Sequence, residues 1–243
     1  MTNSNLSSKK DSYFKLFILA VKGDVKDFTT GSIDKAIFLL AIPMILEMVL
    51  ESLFAVVDIY FVNKIGIEAS STVILTEASL TILYSVAWGL SIGVTALVAR
   101  RAGEKNFKAA SDIAVQSILL GTFLSLIISV IGFIFPKEIL LLMGASASVA
   151  EENYLFTQIM LTGNIVIVLL FINNAVFRGV GNASIAMKAL LIANAINIVL
   201  DPMLILGIGP FPKMGVVGAA IATTIGRSVA VVYQFYHMFN GKA

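Results

Sequence analysis

Six long apolar stretches constrain this sequence more than any other feature. A helix needs about 20 apolar residues to cross the hydrocarbon layer of a membrane. Stretches of this length occur at about residues 33–61, 72–98, 112–135, 154–177, 185–206 and 216–238. The chain is 58% hydrophobic and 13% charged, with a mean hydropathy of +0.94. The sequence therefore predicts an all-α integral membrane protein built as a six-transmembrane-helix bundle.

Net charge and cysteine content exclude several classes of function. The formal net charge is only +2, so no basic surface for nucleic acid is indicated. The chain has no cysteine, which excludes disulfides, thiol catalysis and thiolate metal sites. No cofactor-binding motif is evident, and no cofactor is predicted.

The basic residues predict the orientation of the six spans. An even number of spans places both termini on one side of the membrane. The loops on that side carry Arg100, Arg101, Lys105, Lys108, Arg178 and Lys188, and the N-terminal arm adds further lysines. The opposite loops hold only Lys64, Lys137 and Lys213. By the positive-inside rule, both termini are expected to be cytoplasmic in a multi-pass protein of the cell membrane.

The chain divides into an N-terminal arm and one membrane domain. Residues 1–30 are predicted to form a cytoplasmic arm in which 12–22 lies flat on the membrane surface as an interfacial helix. Residues 31–243 are predicted to form the six-helix domain. The apolar piece EILLLMG, residues 138–144, is too short to span and is also expected to lie at the interface.

Polar residues in the fifth span point to a buried site. Asn197 and Asp201 are one helical turn apart, Asn194 shares their face, and Pro202 follows directly. An aspartate at the centre of a bilayer costs about 2.5–3.5 kcal/mol on insertion scales, so it normally faces protein or water. Pro202 weakens the helix and can free carbonyls beside the carboxylate. The segment predicts a cation or proton site.

The first span carries three acids on one face. Glu47, Glu51 and Asp58 fall within about 40° of one another at 100° per residue. Simple packing does not explain three carboxylates on one face, although they could also be wet residues that line an aqueous cavity. If Asp58 approaches Asp201, the pair could exchange protons or bind Na⁺ with amide and hydroxyl oxygens completing its shell.

Five motifs, in order along the chain, resemble one transporter family. They are the apolar stretch around Pro43, VDIYFV around Asp58, FRGVGN from Phe177, NIVLDP from Asn197 and GVVGAAIAT from Gly215. From about Gly31 onward the chain resembles the N-terminal half of a multidrug and toxic compound extrusion (MATE) transporter. The pattern is similar to that of DinF-like and archaeal members. The resemblance implies a secondary antiporter that exports organic or cationic drugs or metabolites in exchange for H⁺ or Na⁺.

The resemblance also implies roles for individual residues. The residues expected to bind the coupling H⁺ or Na⁺ are Asp58, Asn197, Asp201 and Thr223. Those expected along the substrate path are Glu47, Glu51, Asn174 and Asn194. Pro43 matches the proline at which the first helix is expected to bend. Many members carry Gln where Glu51 stands, so this cavity is expected to be unusually acidic and to favour cationic substrates.

Span number separates this chain from the family pattern. MATE transporters have twelve spans in two lobes, whereas this chain has six. The expected partners are therefore small organic substrates, membrane lipid, and either a missing C-terminal lobe or a second copy of the chain. Two alternatives remain open, a lipid flippase of the wider superfamily and a non-transporting six-span subunit.

An enzyme is not expected. Intramembrane aspartyl proteases use YD and GxGD motifs, whereas this chain has VD at Asp58 and LD at Asp201. A rhomboid-like protease needs GxSG, which is absent.

Some other glycines and arginines are expected to have structural roles. Small residues let membrane helices approach closely. Packing sites are predicted at Gly89, Gly93, Gly215 and Gly218. Arg178 and Arg227 are expected to pair with other side chains or anchor helices rather than bind substrate.

Overall fold

Helices form nearly all of the structure. The computed structural model describes residues 13–23 and 32–241, and within those ranges no strand occurs. The helices are α1 (Tyr13–Lys22), α2 (Ile33–Asn63), α3 (Ile67–Gly103), α4 (Phe107–Ile134), α5 (Pro136–Leu142), α6 (Ala147–Thr162), α7 (Asn164–Gly179), α8 (Ala183–Leu206) and α9 (Val216–Phe239). The predicted fold class, an all-α membrane bundle, is confirmed. Of the predicted arm at 1–30, residues 1–12 and 24–30 lie outside the described residues.

Six segments are long and apolar enough to cross a membrane. They are α2, α3, α4, the segment formed by α6 and α7, α8 and α9. At 37 residues, α3 is about 55 Å long, which exceeds the roughly 30 Å hydrocarbon layer. It runs beyond the predicted 72–98 at both ends. Its last turn is basic, and Glu104 pairs there with Arg100 at 3.1 Å and Arg101 at 2.8 Å.

The fourth span is longer than the predicted 154–177 and is broken in the middle. It runs from Ala147 to Gly179, and Gly163 separates α6 from α7. Asn164 is fully buried at this break, where its Nδ2 donates to Ser129 Oγ at 3.0 Å and to the Ser125 carbonyl at 3.2 Å. Hydrogen bonds to α4 therefore stabilise the break, because a buried polar side chain must find partners.

Alternating spans run in opposite directions, so the bundle has two distinct ends. The start of α2, the end of α7, the start of α8 and the end of α9 share one end. We call this the basic end, since Arg178 and Lys188 lie there together with the last turn of α3. The end of α2, the end of α8 and the start of α9 share the other end. This arrangement decides which polar side chains can meet.

Two glycines bring α8 and α9 into backbone contact. A Cβ added at Gly218 would lie 2.6 Å from the carbonyl carbon of Leu204. At Gly226 it would lie 2.7 Å from the Ala193 oxygen. The predicted packing role of Gly218 is confirmed, and the two helices meet closely enough to bring their polar side chains together.

Three other glycines predicted to be packing sites make no such contact within the described chain. A Cβ at Gly89, Gly93 or Gly215 would meet no atom within 4 Å in the described part of the chain. Gly89 and Gly93 are both exposed on α3. Gly215 has φ +58 just before α9, a backbone conformation that favours glycine for steric reasons unrelated to packing.

The two short helices lie against the bundle. The C-terminal end of α1 is held at the start of α8, because Lys188 Nζ donates to the Lys22 carbonyl at 2.9 Å. The Lys137–Glu151 ion pair, at 2.6 Å, joins α5 to α6. The expectation that both short helices lie at a membrane interface stays a prediction.

Candidate cation-binding site

Asp201 is completely buried in the second half of α8. Its exposed fraction is 0%, and neither carboxylate oxygen has a hydrogen-bond partner among the described residues. The helix continues through Pro202 to Leu206, but proline has no N–H, so the Ile198 carbonyl loses its usual helical donor. A buried carboxylate without partners is unfavourable unless it binds a proton or a cation.

Asn197 links this carboxylate to α9. It is 1% exposed and lies one turn before Asp201. Its Nδ2 donates to Thr223 Oγ1 at 3.2 Å, while its Oδ1 is buried without a donor in the described part of the chain. The amide is therefore held by α9 one helical turn from the carboxylate.

Asp58 brings the third helix to the site. The Asp58 and Asp201 carboxylates lie close enough for their charges to repel. Asp58 Oδ1 is buried and, within the described ranges, also lacks a partner. The four residues predicted to bind the coupling ion thus come together from α2, α8 and α9.

The donor set suits a proton or a small hard cation. Four buried oxygens have no hydrogen-bond donor among the residues described: Asp58 Oδ1, Asn197 Oδ1, Asp201 Oδ1 and Asp201 Oδ2. Thr223 Oγ1 adds a fifth oxygen with a spare lone pair. Two ionised carboxylates repel strongly in a low-dielectric interior. One bound H⁺ or Na⁺ would relieve that repulsion, and carboxylate and amide oxygens are the ligands that hard cations prefer.

A second polar cluster, the inner network, lies nearer the basic end. Its members are Glu47, Asn174, Arg178 and Gln234, from α2, α7 and α9. Glu47 Oε1 accepts from Asn174 Nδ2 at 2.8 Å and from Arg178 Nη2 at 2.5 Å. Gln234 Nε2 donates to Asn174 Oδ1. The predicted pairing of Arg178 is confirmed.

The three acids on one face of α2 differ in how far they are exposed. Glu47 is 8% exposed and ion-paired, Asp58 is half-buried, and the Glu51 side chain is 50% exposed. Arg227 Nη2 lies 3.7 Å from Glu51 Oε1, and its guanidinium lies 5.5 Å from the Phe54 ring. Glu51 is therefore the most exposed of these three acids, and Arg227 pairs as predicted.

Two residues of α3 lie near these acids without having been predicted. Glu77 and Tyr84 are within electrostatic reach of Arg227, and the charge of Glu77 also acts on Asp58. The signal for Glu77 was present in the sequence, since an acid inside a predicted span is the same criterion that selected Asp58. Gln234 had no such signal, because a neutral amide in a membrane helix commonly serves only to hydrogen-bond a neighbouring helix.

The last two predicted site residues, Asn194 and Pro43, contact α2 or lie within it. Asn194 Nδ2 donates to the Leu50 carbonyl at 2.8 Å, which joins α8 to the middle of α2. Pro43 is buried inside an unbroken helix, where its missing N–H leaves the Leu39 carbonyl without a helical donor. The hinge role of Pro43 stays a prediction.

A family model covers most of the region that holds these residues. A model of the MatE family matches residues 43–203, about two thirds of the chain, from Pro43 to just beyond Asp201. The chain belongs to the MATE family. The matched range includes three of the four residues of the cation site, and Thr223 lies beyond it.

Several MATE relatives are similar over most of this chain. A FAD transporter of Shewanella oneidensis is 29% identical, with 85% of this chain and 46% of the relative covered. A probable multidrug resistance protein, NorM, of Thermotoga maritima is 31% identical, with 86% of this chain and 45% of the relative covered. A MOP superfamily transporter of known structure from Pyrococcus furiosus superposes with a TM-score of 0.79 at 30% identity, covering 90% of this chain and 47% of that one.

The share of each relative that this chain matches indicates how much of a transporter the chain contains. The chain spans about half the length of the curated relatives it matches. The chain has six candidate spans within its described residues, which agrees with one lobe of a MATE transporter.

Proposed function

We propose that this MATE-family chain is the ion-coupled lobe of a secondary antiporter that exports organic molecules in exchange for H⁺ or Na⁺. The observation that carries the proposal is the Asp58–Asp201 pair, with Asp201 completely buried and both of its oxygens unpartnered in the described structure. Such a pair binds a cation reversibly, which is what coupling requires. The lobe sits in the cell membrane with both termini cytoplasmic.

The driving forces across a membrane suffice to operate such a site. One pH unit supplies about 1.36 kcal/mol per proton, and 100 mV supplies about 2.3 kcal/mol per charge moved. A cation entering from outside removes the repulsion between Asp58 and Asp201, so α2 can pack differently against α8. Pro43 interrupts the hydrogen bonding of α2 and supplies the point at which the helix bends.

The substrate path lies along the same face of α2. The exposed Glu51 meets the organic substrate directly, and its charge favours cations. Glu47, Asn174 and Asn194 are buried behind Glu51 and border this path. The two relatives are named for FAD transport and multidrug resistance, so the substrates proposed here are drugs or metabolites without closer definition.

The second lobe is supplied from elsewhere in the assembly. We propose that the chain acts as the N-terminal half of a longer transporter, with either a C-terminal lobe or a second copy of the chain forming the opposite wall of the cavity. No bound cofactor takes part in this mechanism.

Vesicle transport tests the antiport. The 243-residue chain is reconstituted, and ethidium movement is followed under an imposed pH gradient or an imposed Na⁺ gradient. We expect one of the two gradients to drive ethidium against its concentration, which identifies the coupling ion. Correctly inserted protein that responds to neither gradient would contradict the pairing of two copies as the working transporter and leave its family membership intact.

Replacing Glu51 by Gln tests the preference for cations. The change removes one half-exposed negative charge, worth about 1 kcal/mol to a cation, so KM for ethidium is expected to rise roughly fivefold. Norfloxacin, a zwitterion, should be affected less. Glu138→Gln makes the same charge change on exposed α5 and serves as the control. An unchanged KM for ethidium in Glu51→Gln would count against a cation-selective path.

A further inference from the structure

The inner network is separate from the cation site. Glu47 and Asp58 are eleven residues apart on α2, which places them about 16 Å apart along the helix axis. Glu47 is nearer the basic end, and its partners Arg178 and Gln234 come from the ends of α7 and α9 that lie there. The network therefore lies between the cation site and the end proposed to be cytoplasmic.

The hydrogen bonding of the network is incomplete on one side. Glu47 uses Oε1 for both of its bonds, to Asn174 and Arg178. Glu47 Oε2, Arg178 Nε and Gln234 Oε1 are buried without a partner among the described residues. Buried polar atoms of this kind are uncommon and require a physical explanation.

Only one member of the network can change its charge. Asn174 and Gln234 do not titrate, and a guanidinium stays protonated in proteins. Within the described structure, the charges that act on Glu47 are Arg178 from α7 and Glu51 from its own helix. The neighbouring face of α8 presents the neutral Asn194 to α2. The carboxylate of Glu47 is therefore the group at which a proton can enter.

Protonation would alter the bonding in a defined way. A proton from water would bind Glu47 Oε2 and turn this oxygen from an acceptor into a donor. Gln234 Oε1, a buried acceptor of the same network, has no donor in the described structure. The ion pair with Arg178 would become a weaker neutral–charged hydrogen bond. Release of the proton to water would restore the ion pair.

We propose that Glu47 is a second proton-binding site of this lobe, and that proton uptake there releases the inner half of α2 from α7. Pro43 lies one turn from Glu47 on the side of the basic end, so the ion pair that protonation breaks lies beside the weakest point of α2. This inference adds a site to the proposed antiporter, but its test measures proton binding and helix position, not transport.

Infrared difference spectroscopy tests the proton site directly. The purified 243-residue chain in lipid vesicles is acidified. The stretching band of protonated carboxyl groups is recorded for the wild type and for Glu47→Gln, Asp201→Asn and Glu51→Gln. We expect one band that disappears in Glu47→Gln and persists in the other two variants. A spectrum of Glu47→Gln that keeps every wild-type band would overturn the proposal.

Spin-label distances test the release of α2. The chain has no cysteine, so Ile37→Cys on α2 and Val115→Cys on α4, both exposed, can be labelled without background. Acidification is expected to shift the distance distribution, and Glu47→Gln should show the acid distribution already at neutral pH. If Glu47→Gln does not insert, Glu47→Asp keeps a titratable group and should retain the pH-dependent shift. Distances independent of pH would overturn the proposed release.

Discussion

Replacing Asp201 by Asn is expected to abolish ion-driven ethidium transport, down to the level of vesicles without protein. The side chain keeps its shape but loses the charge that binds the cation, so Asp58 alone can no longer hold H⁺ or Na⁺ between two helices. Removing one of two repelling buried charges should leave the thermal stability of the protein unchanged or raised. The measurement is gradient-driven uptake, together with the unfolding temperature of the same preparation.

A matched variant separates charge from shape at this position. Asp201→Glu keeps the acid at the cost of one extra methylene and is expected to retain part of the activity. Asp58→Asn should reproduce the loss seen in Asp201→Asn, because both carboxylates belong to the same site. Transport by Asp201→Asn at the wild-type rate would place the coupling site elsewhere.

Replacing Gly218 by Ala is expected to destabilise the lobe by about 1–3 kcal/mol, the usual cost of overpacking. The added Cβ would lie 2.6 Å from the Leu204 carbonyl carbon, and a backbone atom cannot move aside as a flexible side chain can. The resulting separation of α8 from α9 should also weaken the Asn197–Thr223 hydrogen bond. Unfolding of detergent-solubilised protein, followed by heating or by denaturant, measures the change.

The control for this change is Gly93→Ala. A Cβ at Gly93 meets no atom within 4 Å in the described structure, so the substitution should be neutral or stabilise α3 by up to about 1 kcal/mol through helix propensity. Equal stability losses for Gly93→Ala and Gly218→Ala would show that backbone packing between α8 and α9 is not what makes Gly218 necessary.

Several features of the site were predictable because they depend on local properties of the chain. Span length and the distribution of Lys and Arg identified the bundle. The high cost of a buried carboxylate was enough to select Asp58 and Asp201 from their positions in the spans, and the folded chain brings the two together. One comparable acid, Glu77, was missed although the same rule applied to it.

Other features depended on how the helices are rotated against one another. Periodicity placed Glu47, Glu51 and Asp58 on one face of α2, but it could not show that Glu47 is buried against Arg178 while Glu51 remains half exposed. Nor could it distinguish Gly218, which touches a backbone, from Gly93, which does not.

By itself, the sequence determined the number of membrane helices, the family of the chain and the carboxylates that are costly to bury in a membrane. Each of these follows from residue type and spacing within single segments. Only the tertiary structure decided the partners of those carboxylates. Arg178 is separated from Glu47 by 131 positions, and their side chains meet only because the folded bundle places the end of α7 within reach of α2. Contacts between distant segments are decided by the shapes of the packed helix surfaces, which no single stretch of sequence contains.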